Sequence, residues 1–247
     1  GLTNDVGDQE GEMSRAGYVE FQTDEPATQL VVGDYHSCAG FGDGEIRCWG
    51  RNDMGQLGTD SNENIGNDFE SQPNGPQPAL LREAALKVYA GSSHTCALLA
   101  GGRLKCWGTN NDGELGIGVR EQTVGDKPND MLTKSRPVIM PLSRTITGAR
   151  LGRNFTCAIL DDESARCWGA NGEGQLGLGD TDPRGQTLIS MGVGLPAVKL
   201  SRRCDLCSIG RSCVLDGQCV SIDCTENNRC GFAGCDEAGC DNCWDGE

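Results

Sequence analysis

The sequence predicts an all-β protein: an open or partial β-propeller of about three four-stranded blades, followed by a disulfide-rich C-terminal segment. Three observations carry this. There are 37 glycines in 247 residues and only 36% hydrophobic residues, roughly twice the usual glycine content and a low apolar one. A pattern containing cysteine and tryptophan recurs about every sixty residues. Nine of the fifteen cysteines crowd into residues 204–247.

The repeat is anchored by Cys48-Trp49-Gly50, Cys106-Trp107-Gly108 and Cys167-Trp168-Gly169, in steps of 58 and 61 residues. The same turn follows each: Asn52, Gly55, Leu57, Gly58; then Asn110, Gly113, Leu115, Gly116; then Asn171, Gly174, Leu176, Gly177. Ten residues before each anchor lies another cysteine, Cys38, Cys96 or Cys157, and five before that a glycine, Gly33, Gly91 or Gly152. Gly7-Asp8…Met13 is echoed by Gly125-Asp126…Met131, and apolar edges recur at Val19, Ala79, Val138 and Val198.

Each unit reads as four short strands. In the second they fall near 77–81, 86–90, 94–99 and 103–107, because short β-branched and apolar runs are punctuated by Gly, Asn, Asp and Pro. The last two strands form a hairpin centred on Asp43, Gly101 or Asp162, all turn-forming residues. The units run over about 7–65, 66–124 and 125–184, with a fourth first strand at 195–200. A cysteine-rich acidic tail follows residue 203. Residues 1–6 read like the tail of a preceding repeat, so the N-terminal blade is expected to meet a partner chain or an upstream segment. No apolar leader follows Gly1, so any targeting segment is expected to have been removed.

The frame G-x-x-[HF]-[ST]-C-A…C-W-G-x-N-x-x-G-x-L-G, read over residues 1 to about 200, resembles the regulator of chromosome condensation repeat. That resemblance implies a propeller, usually of seven blades. It also implies action by binding: as exchange factors for small GTPases, as chromatin adaptors, or as secreted bacterial β-lactamase inhibitors. The G-D-x4-M lead-in looks like that of secreted bacterial and microalgal members. Three blades fall short of the usual four to eight of a closed ring.

The blade cysteines are spaced C-x9-C about the hairpin centre. This places each pair opposite one another on antiparallel strands, within reach of a disulfide after slight tightening. Cys38–Cys48, Cys96–Cys106 and Cys157–Cys167 are therefore expected disulfides. Each closes about eleven residues, a stabilisation of about 2.5–3 kcal/mol in the chain-entropy model. The tail carries Cys204, Cys207, Cys213, Cys219, Cys224, Cys230, Cys235, Cys240 and Cys243 among few apolar residues. It reads as a disulfide knot whose connectivity the spacing does not reveal. Cys204, Cys207, Cys240 and Cys243 also have the spacing of a four-cysteine zinc or iron–sulfur site. Nine is odd, so one tail thiol is free or bonded elsewhere. Such cysteine usage points to an oxidising compartment, an organelle lumen (the thylakoid lumen, for example) or the extracellular space.

The net charge is −15: residues 1–30 contribute −6, residues 204–247 contribute −7, and the stretch between is nearly balanced at −2. Phosphate backbones and anionic lipids repel such a chain, which disfavours nucleic acid as a partner. No apolar run reaches the roughly 18–20 residues of a membrane span. His36 and His94 share a repeat position occupied by Phe155 in the third copy, so they read as packing residues. There is no phosphate loop, nucleophile elbow or H-E-x-x-H motif. Asp180–Gly185 reads as an ordinary turn, not a calcium loop. Asn154-Phe155-Thr156 is a sequon placed on a strand, where a glycan would clash. The repeat tryptophans read as inter-blade core. Trp244, without a repeat counterpart, is the candidate partner-binding residue.

Together these features predict no enzyme and no cofactor. They describe a protein-binding or scaffold protein in an oxidising compartment, such as a peripheral lumenal subunit of a photosynthetic or respiratory membrane complex. A secreted binding or inhibitor module is the first alternative, and a thiol–disulfide redox protein or metal binder acting through the tail the second. Intact-mass analysis with alkylation before and after reduction checks the blade pairs. The six blade cysteines are expected to resist alkylation until a reductant is added.

Overall fold

A computed structural model describes Val19 and residues 21–66, 75–119, 123–141 and 143–199, together with the backbone of three later strands. The chain divides into two compact units, Gly1–Val198 and Lys199–Glu247. The first contains three antiparallel meanders in the predicted places. Blade one is β1 (Ala27–Val32), β2 (His36–Phe41) and β3 (Ile46–Gly50). Blade two is β4 (Ala85–Ala90), β5 (His94–Leu99), β6 (Arg103–Thr109) and the two-residue β7 (Thr123–Val124). After a one-turn helix, α1 (Asp130–Thr133), blade three is β8 (Ile146–Leu151), β9 (Phe155–Leu160) and β10 (Ala165–Gly169).

The hairpins turn at the expected residues. The Asp43 carboxylate accepts from the Glu45 amide at 2.9 Å, and that of Asp162 from the Ser164 amide at 3.1 Å. Gly101 adopts φ +73° inside a 3-10 turn over Ala100–Gly102. With the centres fixed, Cys38 lies opposite Cys48, Cys96 opposite Cys106 and Cys157 opposite Cys167, and each pair is bonded. Their Cα separations of 4.0, 4.1 and 4.1 Å are those of the closer class of antiparallel pair.

The fourth strand differs from the expectation. The segment near 77–81 does not open blade two. Pro78 bridges Arg47 of β3, and the next amide, of Ala79, donates to the Ile46 carbonyl at 2.8 Å. Pro137 and Val138 do the same beside β6. Proline has no N–H to extend a ladder, so the pairing stops at one bridge. The segment 195–200, expected to start a fourth unit, instead places Val198 against Ala165 on the outside of blade three. The outer edge of each blade is thus supplied by the chain that follows it.

The core runs through the blades, with Ile46, Leu57, Leu99, Leu104, Trp107, Leu115, Leu160, Trp168, Met191 and Leu195 buried. Gly33, Gly91 and Gly152 follow the innermost strands β1, β4 and β8. A side chain on Gly33 would strike the Gly91 carbonyl and the His36 ring. One on Gly91 would strike the His94 ring and lie 2.8 Å from the Gly152 carbonyl. Backbones meet backbones there, and only hydrogen fits.

In the second unit, β11 (Cys213–Leu215), β12 (Gln218–Cys224) and β13 (Cys230–Ala233) form an antiparallel meander in which Cys224 is opposite Cys230. The cysteine pairing expected in the tail, Trp244, residues 1–6 and the Gly7–Met13 echo lie outside the described residues. No helix among the described residues is long and apolar enough to cross a membrane. Replacing Gly91 by Val is expected to destabilise the first unit by more than about 2 kcal/mol, the scale of overpacking a tight site. Urea denaturation monitored by tryptophan fluorescence checks this.

Candidate functional site

The joints between blades and the groove they enclose are the places where this chain can act. The first joint is built on one acceptor. In the turn after β3, the Asn52 side chain accepts from the Leu57 amide at 2.9 Å and donates to the Ser61 carbonyl at 2.7 Å. That holds the Gln56 carbonyl toward blade two. It accepts from the Trp107 indole Nε1–H at 3.0 Å and from the Thr95 hydroxyl at 2.8 Å. The Thr95 proton is then committed, so its oxygen accepts from His36 Nε2–H at 2.9 Å.

The second joint repeats the first. Asn110 accepts from the Leu115 amide, and the Glu114 carbonyl accepts from Trp168 Nε1–H at 3.0 Å and the Thr156 hydroxyl at 2.9 Å. His94 Nε2–H meets Thr156 at 3.0 Å. Burial lowers His36 to about 4, and burial followed by the His36 charge lowers His94 to about 3. Both imidazoles are therefore neutral at neutral pH, as an Nε2–H donor with a bare second nitrogen requires. The two histidines pack as expected, and they also tie each blade to the next. The threonines and the turn carbonyl escaped notice, although the [ST] position of the repeat frame marks the threonines.

The faces of blades one and three that meet no other described blade differ from the joints. On blade three, Phe155 occupies the histidine position and cannot donate a hydrogen bond. On blade one, Trp49 is only half-buried, 5.5 Å edge-to-face from Phe21, which packs at 5.1 Å on Phe41. Among the described residues no carbonyl accepts from its indole N–H. Trp107 and Trp168, by contrast, are fully buried.

The innermost strands line a groove of about 970 Å³ walled by Gln29–Val32, Lys87–Ala90 and Thr147–Leu151. Leu30 is 68% exposed, Val32 67% and Ile159 53%, so the wall presents apolar side chains to solvent. At the rim, Ser92 donates to the Asp34 carboxylate at 2.7 Å, beside Arg153. No cluster of three metal-ligating side chains occurs among the described residues. The Asp180 carboxylate is paired with Arg184 at 2.7 Å. Asn154 donates to Asp112 at 3.2 Å across the second joint, a contact its sequon would lose to a glycan.

Antiparallel blades of one repeated design, each stapled to the last through a tryptophan, a threonine and a turn carbonyl, define a β-propeller repeat protein. The regulator of chromosome condensation (RCC1) repeat matches residues 27–56, 86–114 and 149–175, and again 43–98. The chain carries repeats of that family. Each of the first three matched stretches starts on or beside an innermost strand and ends at or near the turn that carries the joint acceptor. The chain is 32% identical over 158 residues to the X-linked retinitis pigmentosa GTPase regulator of Canis lupus familiaris, covering 64% of this chain and 14% of that protein. It is 32% identical over 157 residues to the human probable E3 ubiquitin-protein ligase HERC4, covering 62% of this chain and 13% of that protein. It thus spans about one seventh of these relatives. Among solved structures it is similar in fold to Prp20p of Saccharomyces cerevisiae, with TM-score 0.52 and 18% identity, covering 79% of this chain and 40% of that one.

The neutral histidines give the joints a pH dependence. Their folded pKa values lie below the unfolded value of 6.5, so their contribution is complete above about 6.5 and is lost as pH falls toward 4 and 3. His94→Phe, which copies the third repeat, is expected to remove part of this acid sensitivity. Relative to the wild type, the variant should gain about 2 kcal/mol between pH 6.5 and 5, measured as the difference between denaturation curves.

Proposed function

We propose that this chain is a non-catalytic protein-binding or scaffold module working in an oxidising compartment. The observation that carries this reading is the groove wall, where Leu30 and Val32 on the innermost strand β1 and Ile159 on β9 stand more than half exposed. Contiguous exposed apolar surface on a folded domain marks a contact site. Relatives support the same class: one is named as a GTPase regulator, and the Prp20p structure is described with its binding to Gsp1p and histones. The net charge of −15 argues against a chromatin role for this chain.

The cysteines support the oxidising compartment. Three bonded pairs inside the blades are stable where disulfides persist, in a lumen or outside the cell. A peripheral subunit on the lumenal side of a photosynthetic or respiratory membrane complex fits that chemistry, and a secreted binding module is its rival. In either case the acidic tail, with Trp244, supplies a second contact.

Purification from the source under gentle conditions separates the two: co-migration with a membrane complex supports the subunit, a lone soluble species the secreted module. In the former case, Leu30→Ser with Val32→Ser is expected to leave stability within about 0.5 kcal/mol, because both side chains are exposed, while abolishing co-migration. Removal of residues 204–247 is expected to leave the blades folded, by circular dichroism, and to weaken the same association. Retained co-migration in the groove variant would overturn the assignment of the contact to the groove.

A further inference from the structure

The turn that carries the joint acceptor is built with glutamine twice and glutamate once. In blade one, Gln56 Oε1 accepts from the Met54 amide at 2.9 Å, and its Nε2 donates to Asp53 at 3.4 Å. In blade three, Gln175 Oε1 accepts from the Glu173 amide at 2.9 Å. In blade two the position is Glu114. One carboxyl oxygen, Oε2, accepts from the Asp112 amide at 2.8 Å, as in the other copies. The other, Oε1, sits where glutamine has its N–H2, is buried, and has no partner. An ionised carboxylate there leaves a buried acceptor without a donor.

We propose that the joint between blades two and three is a proton-gated latch, closed when the Glu114 carboxyl is protonated and loosened when it ionises. The protonated acid is the near-isostere of the glutamine at 56 and 175, with an O–H in place of the amide N–H. The joint takes up the change directly, because the backbone carbonyl of this same residue receives Trp168 and Thr156.

The surroundings favour the proton. Burial above all, and then the negative charge of Asp112, raise the Glu114 carboxyl to about 7, against backbone hydrogen bonds that lower it. The other charged or titratable groups on the elements packed around this turn do not reverse the balance. Arg184, on the return loop beside Gly113, is engaged by Asp180. His94 is held neutral by burial. Arg153 and Arg166 on blade three are not among the groups acting on this carboxyl. Because the folded pKa lies above the unfolded value of 4.5, the latch is fully closed below 4.5 and weakens as pH rises to about 7. This is opposite in sign to the histidine dependence.

The protein carries its own reference. Trp107 donates to the carbonyl of neutral Gln56 and Trp168 to that of Glu114. The ratio of their indole N–H exchange rates, followed by NMR on the full oxidised chain, cancels the common base catalysis. In the wild type the Trp168/Trp107 ratio is expected to rise on the order of tenfold between pH 6 and 8. In Glu114→Gln it should stay flat, and in Gln56→Glu/Glu114→Gln it should fall over the same range. A flat wild-type ratio, or an equal rise in Glu114→Gln, would overturn the proposal. If the double variant does not fold, the wild type and Glu114→Gln still decide it.

Discussion

The backbone carbonyl at Gln56, repeated at Glu114, is the point through which one blade meets the next. It receives two donors at once, an indole N–H and a hydroxyl, and the hydroxyl in turn receives a histidine. Each hydrogen bond contributes only about 1 kcal/mol net, but a buried donor left without a partner costs about 1–3 kcal/mol. The carbonyl must therefore be aimed correctly or the joint is better not made. This explains the residues of the repeat frame together. Asn52 and Asn110 pin the turn from inside. Leu57 and Leu115 bury its apolar side. Gly58 and Gly116, at φ +72° and +65°, lie against the tryptophan of the following blade, where a side chain would collide with the indole.

Covalent and non-covalent bonds divide the labour. The three disulfides among the described residues lie within a blade, between its two outer long strands, and none of them crosses a joint. Blade identity is thus secured by bonds that resist everything short of reduction. Relations between blades rest on hydrogen bonds and buried indoles. A chain assembled this way can loosen at a joint without losing a blade, since the cross-link limits unfolding inside each hairpin while nearest-neighbour terms govern the array.

Much of this was legible from spacing. Cysteines ten residues apart around Asp43, Gly101 and Asp162 fixed both the hairpins and their pairing, because antiparallel register follows from the turn. The phase of the repeat was not legible. A period of about sixty residues says how far apart equivalents lie, but not whether the Pro78 or Pro137 segment begins one blade or finishes another. Only the bridges to Arg47 and Lys105 decide that. The role of His36 and His94 was hidden for a related reason. Their third counterpart, Phe155, meets no threonine of a following blade among the described residues. Comparison across copies therefore averaged joint positions with a terminal one. The groove wall was invisible because Leu30 and Val32 alternate like any half-buried strand, and the sequence does not show that their face of β1 is left uncovered.

The charge pattern bears on what this groove can recognise. The acidity lies in the first thirty residues and in the tail, while residues 31–203 are almost neutral. The wall itself carries Lys87 and Arg150 between Leu30, Val32 and Ile159, with Asp34 and Arg153 at the rim. Such a surface selects by apolar shape with a few cations, whereas the ends of the chain select by long-range field. Fields from exposed charges fade within about 8–10 Å at physiological salt, so in the proposed binding role the acidic termini would steer a partner's approach more than hold it. Holding falls to the desolvated apolar contacts, which salt does not weaken. Association is therefore expected to slow with ionic strength while the complex, once formed, persists, a kinetic split that follows from placing charge and apolar surface on different parts of one chain.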